Sequence, residues 1–353
     1  MTTTMPAVVQ YGLGGKQVEL RELPVPEIGA TDVLLQVGAV GVCGSDVHQY
    51  NAASSWGVNV PVVMGHEFCG TIAAAGSDVT GFREGDRVVS ETAAQICGQC
   101  VYCRSGNYNL CPHRLGFGYG TDGAMAGYVR VPQRCLHHIP DNLPFSLASM
   151  TEPTCVALNA IVERSSVRPG DSVFVLGPGP IGLLCMLVAR LQGASTAVVG
   201  GLASDAPRLT LARELGATHT LDLQAEDPAA FVHGLGDGYG VDMVVDASGA
   251  SATFVTAMEL VRPMGQIVKV GWGPAPLGVS LDPIVRKAVR VNGSFSHTYP
   301  TWERAIALLA SGQLNAAPLA GLHAPLGDWL RGFEGMHDGH IVKAVLYPSG
   351  TVG

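Results

Sequence analysis

The sequence predicts an α/β protein of two domains, one mostly β and the other a doubly wound parallel sheet flanked by helices. Three observations carry that expectation. The 353 residues amount to about two domains at ~150 residues each. The first third holds short β-type runs, such as 33–37 and 87–90, cut at short intervals by Gly, Pro and Asp. From residue 172 onward, strand and helix patterns alternate, as they do in a parallel sheet with crossover helices.

Between the two rhythms, SLASMTEPTCVALNAIVE has apolar residues at helical spacing, and RPGD turns the chain into a strand over 172–176. That strand precedes a helix over 181–191. TAVVG precedes a helix over 206–215, VDMVVDAS precedes one over 251–261, and the strand QIVKVG follows. Beyond about residue 290 the alternation stops. TWERAIALLASG reads as an amphipathic helix ended by Gly312, and HIVKAVLYP as one last strand.

Composition narrows the function. Charged residues are 14% of the chain against a usual ~25%, which excludes long solvated tails. Acidic residues number 29 and basic ones 21, for a net charge of −8. With no Lys/Arg cluster, nucleic acid is excluded as a partner. The opening MTTTMPAVVQYG lacks the pattern of a secretory signal. The longest uncharged window, 172–189, contains Gly177, Pro178, Gly179, Pro180 and Gly182, which suits a βα turn and not a membrane span. Nine cysteines, four of them crowded together, point to metal binding in a reducing cytoplasm and away from disulfides.

Those four are Cys97, Cys100, Cys103 and Cys111, spaced C-x2-C-x2-C-x7-C. Four thiolates on one loop can close a tetrahedron around zinc, and with every position filled by protein such a metal is structural. The iron–sulfur pattern requires three residues before its last cysteine, and here there are seven. A second set is dispersed. VCGSDVHQY holds Cys43, Ser45, Asp46 and His48, and MGHEFCG holds His66, Glu67 and Cys69. Cys, His and carboxylate from separate segments can leave one coordination position open, as a catalytic zinc needs; equally, Cys43 can be core and His66 a turn residue.

The segment VFVLGPGPIGLL carries G-x-G-x-x-G at Gly177, Gly179 and Gly182, with Pro180 and Ile181 between the last two. It follows a strand and opens a helix, so it reads as a pyrophosphate cradle. An acid is expected at the end of the second strand, on the adenosine ribose. Gly200 and Gly201 stand there, and Asp205 and Arg208 follow a few residues on. Asp205 opposes a 2′-phosphate and favours NAD; Arg208 leaves NADP open.

GHEFCGTIAAAGSDV, with Gly65, His66, Glu67, Gly70, Gly76 and Val79 at these intervals, resembles the signature of the zinc-containing medium-chain alcohol and polyol dehydrogenases. CGSD, the four-cysteine loop and GPGPIG stand in that family's order, so the resemblance covers nearly the whole chain. TEPTCVALNA places Glu152 where the sorbitol and threonine dehydrogenase branch carries a glutamate. The resemblance implies a GroES-like, mostly-β catalytic domain from residues 1–155 and 291–353, a six-stranded Rossmann cofactor domain from 156–290, and an active cleft between them. It implies two zinc ions per chain, one structural and one catalytic. By that resemblance Cys43 and His66 are direct ligands of the catalytic ion, and Glu67 and Glu152 supply the remaining carboxylates. One binds the metal and the other holds its water, a choice on which family members differ; Glu67 is taken as the third ligand. By the same resemblance Ser45 bonds the substrate oxygen and His48 ends a proton relay.

The expected activity is zinc-dependent, NAD(P)-linked oxidation of a secondary alcohol of a polyol, cyclitol or related small molecule. Its rivals are a zinc-free quinone or enone reductase and a non-catalytic structural or cofactor-sensing protein. Phe295, Ser296 and His297 replace the Phe-Arg-Tyr phrase of polyol dehydrogenases, which counts against sorbitol itself. Tyr50, Trp56 and Phe117 are candidate pocket walls, and Cys69, Cys135, Cys155 and Cys185 are packing residues. His137 and His138 are read as loop or surface positions without a ligand role. The resemblance implies a homotetramer or homodimer.

Overall fold

The computed structural model describes residues 4–273 and 275–350. The chain divides into two compact units, one ending at Glu152 and resuming at Thr298, the other Pro153–His297. The first border falls three residues before 155/156. The second lies beyond 290/291 because the strand Arg290–Gly293 is hydrogen-bonded into the second unit's sheet.

In the first unit, a seven-stranded sheet runs in the order Ala320–Pro325, Lys343–Tyr347, Asp32–Gly41, Glu67–Ala75, Arg87–Ser90 and Leu136–His138, and Tyr128–Pro132 also pairs with Asp32–Gly41. A three-stranded sheet of Val18–Pro24, Thr4–Gln10 and Val62–Val63 completes the β structure. The long strand DVLLQVGAVG is the organiser. It buries nearly every side chain, pairs antiparallel with three other strands, and receives the carboxyl-terminal strand at Val345–Gly41 and Leu346–Val40. Sequence ends far apart thus meet in one sheet.

The second unit is a six-stranded sheet, all parallel: β1 (Ser172–Leu176), β2 (Thr196–Gly201), β3 (His219–Asp222), β4 (Val241–Asp246), β5 (Val261–Lys269) and β6 (Arg290–Gly293). Their order is β3-β2-β1-β4-β5-β6, the doubly wound arrangement. Continuous apolar runs such as SVFVL are buried because helices cover a parallel sheet on both faces. The first helix of this unit, α1 (Pro180–Leu191), starts with Pro at its first turn, where no N–H is missed. The strand β3 and the helix Pro228–His233 had no counterpart in the sequence reading; both are short, four and six residues.

One polar network in the first unit joins segments distant in sequence. His137 is fully buried, not a loop or surface residue: Nδ1 lies 2.6 Å from Glu303 Oε1 and Nε2 lies 3.2 Å from Glu91 Oε1. Trp302 stacks on the imidazole at 5.5 Å and is itself 0% exposed. Tyr108, from the four-cysteine loop, donates to Glu91 at 2.7 Å. Trp302→Ala removes a ring with no room to collapse, and is expected to cost about 3–5 kcal/mol in urea unfolding; a loss under about 1 kcal/mol would contradict this packing.

Candidate active site

Cys43 is the N-cap of the helix Gly44–Tyr50, whose Asp46 reaches back to accept the Cys43 N–H at 2.8 Å. That reciprocal cap holds the thiol at the helix start. Gly65 adopts φ +90°, which a side chain disfavours, and the turn it makes delivers His66 and Glu67 to the start of the next strand. Ligand atoms of Cys43, His66 and Glu67 all lie within 4.8 Å of one another. Glu152, at the start of the helix Thr151–Leu158, lies outside that set, although its charge bears on Glu67.

The donor set is buried and incompletely satisfied. Asp46 Oδ1 and His66 Nδ1 face one another at 3.6 Å, and neither has a hydrogen-bond partner. Burial lowers the pKa of His66, but Asp46 and the Cys43 thiol outweigh it and hold it well above the ordinary value. A divalent cation among these donors would displace that proton and engage the thiolate, so their chemistry fits zinc. Asp46, fully buried, is placed to orient His66 from behind. Ser45 Oγ stands 3.5 Å from His66 Nε2. His48, exposed at the rim, is held below the ordinary imidazole value by partial burial and by His337.

Lys343 is the residue that the sequence reading missed. Its ammonium forms an ion pair with Glu67 Oε2, with both side chains 1% exposed. Burial lowers the pKa of Lys343, yet Glu67 outweighs it and keeps the cation. For Glu67, burial raises the pKa, Lys343 opposes, and Glu152 raises it again. Room for the pair is made by Gly41, where a Cβ would approach Glu67 Oε2 to 2.4 Å and Lys343 Cε to 3.2 Å. A lone lysine within the apolar run HIVKAVLYP was the available signal. Tyr50 and Phe117, in contrast, belong to the hydrophobic core: Tyr50 packs edge-on against Trp329 and Phe333, and Phe117 against Phe68. Trp56 donates to Gln49 Oε1 at 3.3 Å.

The four-cysteine loop is assembled as a second donor set. Sγ–Sγ separations are 3.9 Å for Cys97–Cys103, 3.5 Å for Cys100–Cys103 and 3.6 Å for Cys97–Cys111. A tetrahedron of 2.3 Å Zn–S bonds has edges of about 3.8 Å, whereas a disulfide needs about 2.0 Å. Backbone N–H groups of Gln99 and Cys100 pull the Cys97 pKa down to about 6, and burial pushes Cys103 up to about 12. Cys69, Cys135, Cys155 and Cys185 are all buried.

In the second unit Gly177 adopts φ +102° and its Cβ position is closed by Ser248 Cα at 2.9 Å. Gly182 is required by Gly177 O, only 1.9 Å from where a Cβ would sit, so helix α1 can approach β1. Gly179, the N-cap of α1, is different. Nothing lies within 4 Å of its Cβ position, so protein packing does not demand a glycine; the open space beside free helix N–H groups fits a phosphate. Pro180 and Ile181 begin α1. At the end of β2, a Cβ on Gly201 would meet Pro178 Cγ at 2.8 Å and Asp205 Cβ at 3.1 Å. The proline of the phosphate turn thus occupies the space of the usual strand-end acid, and Asp205 folds back beside it. Its carboxylate accepts from Leu202 N at 3.0 Å and pairs with Arg208 at 3.2 Å.

Lys343→Met leaves the Glu67 carboxylate buried without its cation. It is expected to cost about 3–5 kcal/mol in urea unfolding, and the double variant Glu67→Gln/Lys343→Met distinctly less. Equal losses in the two would show that the charge pair is not the cause.

Comparison with known proteins agrees with this geometry. Residues 29–141 match the alcohol dehydrogenase GroES-like domain and residues 180–311 match the zinc-binding dehydrogenase domain. The sorbitol dehydrogenase of Halalkalibacterium halodurans is 40% identical over 98% of this chain and 99% of its own. The D-arabitol-phosphate dehydrogenase of Enterococcus avium is 37% identical over 98% of each. Among solved structures, a candidate zinc-binding dehydrogenase from Sinorhizobium meliloti 1021, bound to NADP, superposes with a TM-score of 0.89 at 30% identity, covering 98% of this chain and 100% of that one. The chain belongs to the zinc-containing medium-chain alcohol and polyol dehydrogenases, oxidoreductases that act on CH–OH groups.

Proposed function

We propose that this dehydrogenase reversibly oxidises a secondary alcohol of a polyol, cyclitol or related small hydroxylated compound, using a zinc ion held by Cys43, His66 and Glu67 and NAD(H) as the redox partner. The observation that carries it is the buried donor set of thiol, imidazole and carboxylate, backed by Asp46 and Lys343. That set also counts against a zinc-free quinone or enone reductase. When bound, zinc supplies Lewis acidity to an alcohol oxygen and the nicotinamide supplies a hydride acceptor. Everything else falls to the chain. Lys343 offsets the charge of Glu67, so the donor set carries less net negative charge. Ser45 offers its hydroxyl to the substrate oxygen, and His48, neutral at physiological pH, receives the proton at the rim. Glu152 adds a carboxylate outside the donor set, within range to influence Glu67.

The second ion is structural and belongs to Cys97, Cys100, Cys103 and Cys111, which the Tyr108–Glu91 bond ties to the sheet. The turn Gly177, Gly179, Pro180, Ile181 and Gly182 receives the pyrophosphate. Asp205, four residues beyond the end of β2, supports NAD over NADP: its carboxylate already engages Arg208, so a 2′-phosphate would meet an occupied cation and a like charge. A homodimer or homotetramer is part of the proposal, supported by the exposed edge strand β6 with Val291 and the nearby exposed Val285 and Leu281. Nine free cysteines support a reducing, cytoplasmic setting. No helix among the described residues is long and apolar enough to cross a membrane.

Nicotinamide absorbance followed across a panel of polyols, cyclitols and diols tests the activity. Turnover with NAD, weaker turnover with NADP, and loss after chelation of both ions is the expected result; full activity after verified metal removal would overturn it. A pH profile tests His48. Because its folded pKa is lowered, it stays neutral through pH 6.5 and charges only below that, so the acid limb of kcat/KM falls below 6.5. His48→Gln should lower the rate at least about tenfold and remove that limb; an unchanged limb assigns it to another group.

A further inference from the structure

Across the carboxyl ends of the second unit's sheet runs one transverse row, Gly200, Leu176, Asp246 and Lys269, each paired in register with the next. Leu176 immediately precedes the Gly177 turn, so Asp246 stands one strand away from where that turn begins. In open α/β sheets the crevice between β1 and β4 is the switch point over which a ligand lies. Asp246 is fully buried there, and its carboxylate is heavily engaged. Oδ1 accepts bonds from Ser248 Oγ at 3.2 Å and Thr253 Oγ1 at 2.9 Å, and Oδ2 accepts one from Lys269 Nζ at 2.8 Å. The turn held this way is the one on which Gly177 rests, through Ser248. Glycines lock it further: a Cβ on Gly249 would strike Trp272 O at 2.2 Å, and one on Gly271 would strike Gly249 N at 2.5 Å.

An ionised carboxylate sealed behind a phosphate-binding turn repels the ligand, since screening by solvent is weak at a buried site. Lys269 removes that repulsion. Its ammonium donates to Asp246 Oδ2 at 2.8 Å, which places it to act through the acid. We propose that Lys269 is a positioning residue for the dinucleotide: paired with Asp246, it forms a neutral floor beneath the pyrophosphate turn, and this pairing sets cofactor affinity. The inference rests on the cofactor reading above and concerns neither metal centre.

NADH titrated against full-length protein, followed by nicotinamide fluorescence with circular dichroism as the folding control, decides the matter. Lys269→Met should raise the Kd about tenfold or more, and Lys269→Arg should remain within about threefold of wild type. The double variant Asp246→Asn/Lys269→Met, which lacks both charges, should recover to within about threefold. Adenosine, without phosphates, should lose little in any of them. Binding by Lys269→Met within about threefold of wild type, or a double variant as weak as the single one, overturns the proposal. If Lys269→Met does not fold, Asp246→Asn takes its place: the freed ammonium should keep or tighten NADH binding with a steeper salt dependence, and weaker binding overturns it. Wild-type protein that binds neither NADH nor NADPH would defeat the cofactor reading as well, a result distinct from wild type that binds while Lys269 is silent.

Discussion

Burying a carboxylate inside a β-sheet is unfavourable unless a cation goes in with it, and the pairing of Glu67 with Lys343 sets the terms for the rest of the first unit. Both residues must reach the same interior point from different strands. The strand Asp32–Gly41 brings them together, accepting the strand of Glu67 on one side and the carboxyl-terminal strand of Lys343 on the other. Gly41 lacks the side chain that would collide with the pair. The segment of Lys343 therefore contributes a charge to the buried donor set as well as a strand to the sheet. Cys43 and Asp46, one helix turn apart, then need only the Gly65 turn to meet His66.

A related constraint operates in the second unit. Its glycine turn is a close backbone assembly in which Gly177, Gly182, Gly249 and Gly271 each stand where a Cβ would strike another main-chain atom. Such close approach leaves Gly179 as the one position of the G-x-G-x-x-G motif where space remains toward a ligand. Asp246 and Lys269 stabilise the same place electrostatically. At Gly201, where a strand-end acid is usual, Pro178 fills the space, and the carboxylate of Asp205 lies in the next turn of chain.

Where sequence and structure part, long-range pairing is the reason. His137 in LHHIP has the look of a loop histidine, but its strand lies beside Arg87–Ser90 and beneath the helix Tyr299–Ala310, which supply Glu91 nearby and Glu303 as its partners. Tyr50 and Phe117 looked like pocket walls because aromatics near a candidate site attract that role, yet Tyr50 packs against Trp329 and Phe333, and Phe117 against Phe68, within the core. The family resemblance favoured Glu67 over Glu152 as the third ligand without placing either in space. Only the fold shows Glu67 alone grouped with Cys43 and His66.

By itself the sequence determined the alternation of strand and helix, the two donor sets and the glycine turn. These are local: they depend on spacing along the chain, on the φ that glycine permits and on the period of apolar residues, none of which needs a distant partner. The tertiary structure decided which carboxylate joins the thiol and imidazole, which lysines are buried, and what occupies the end of β2. Each of those depends on the register between strands far apart in sequence, and burial makes a charge either affordable or prohibitive only after that register has placed its partner.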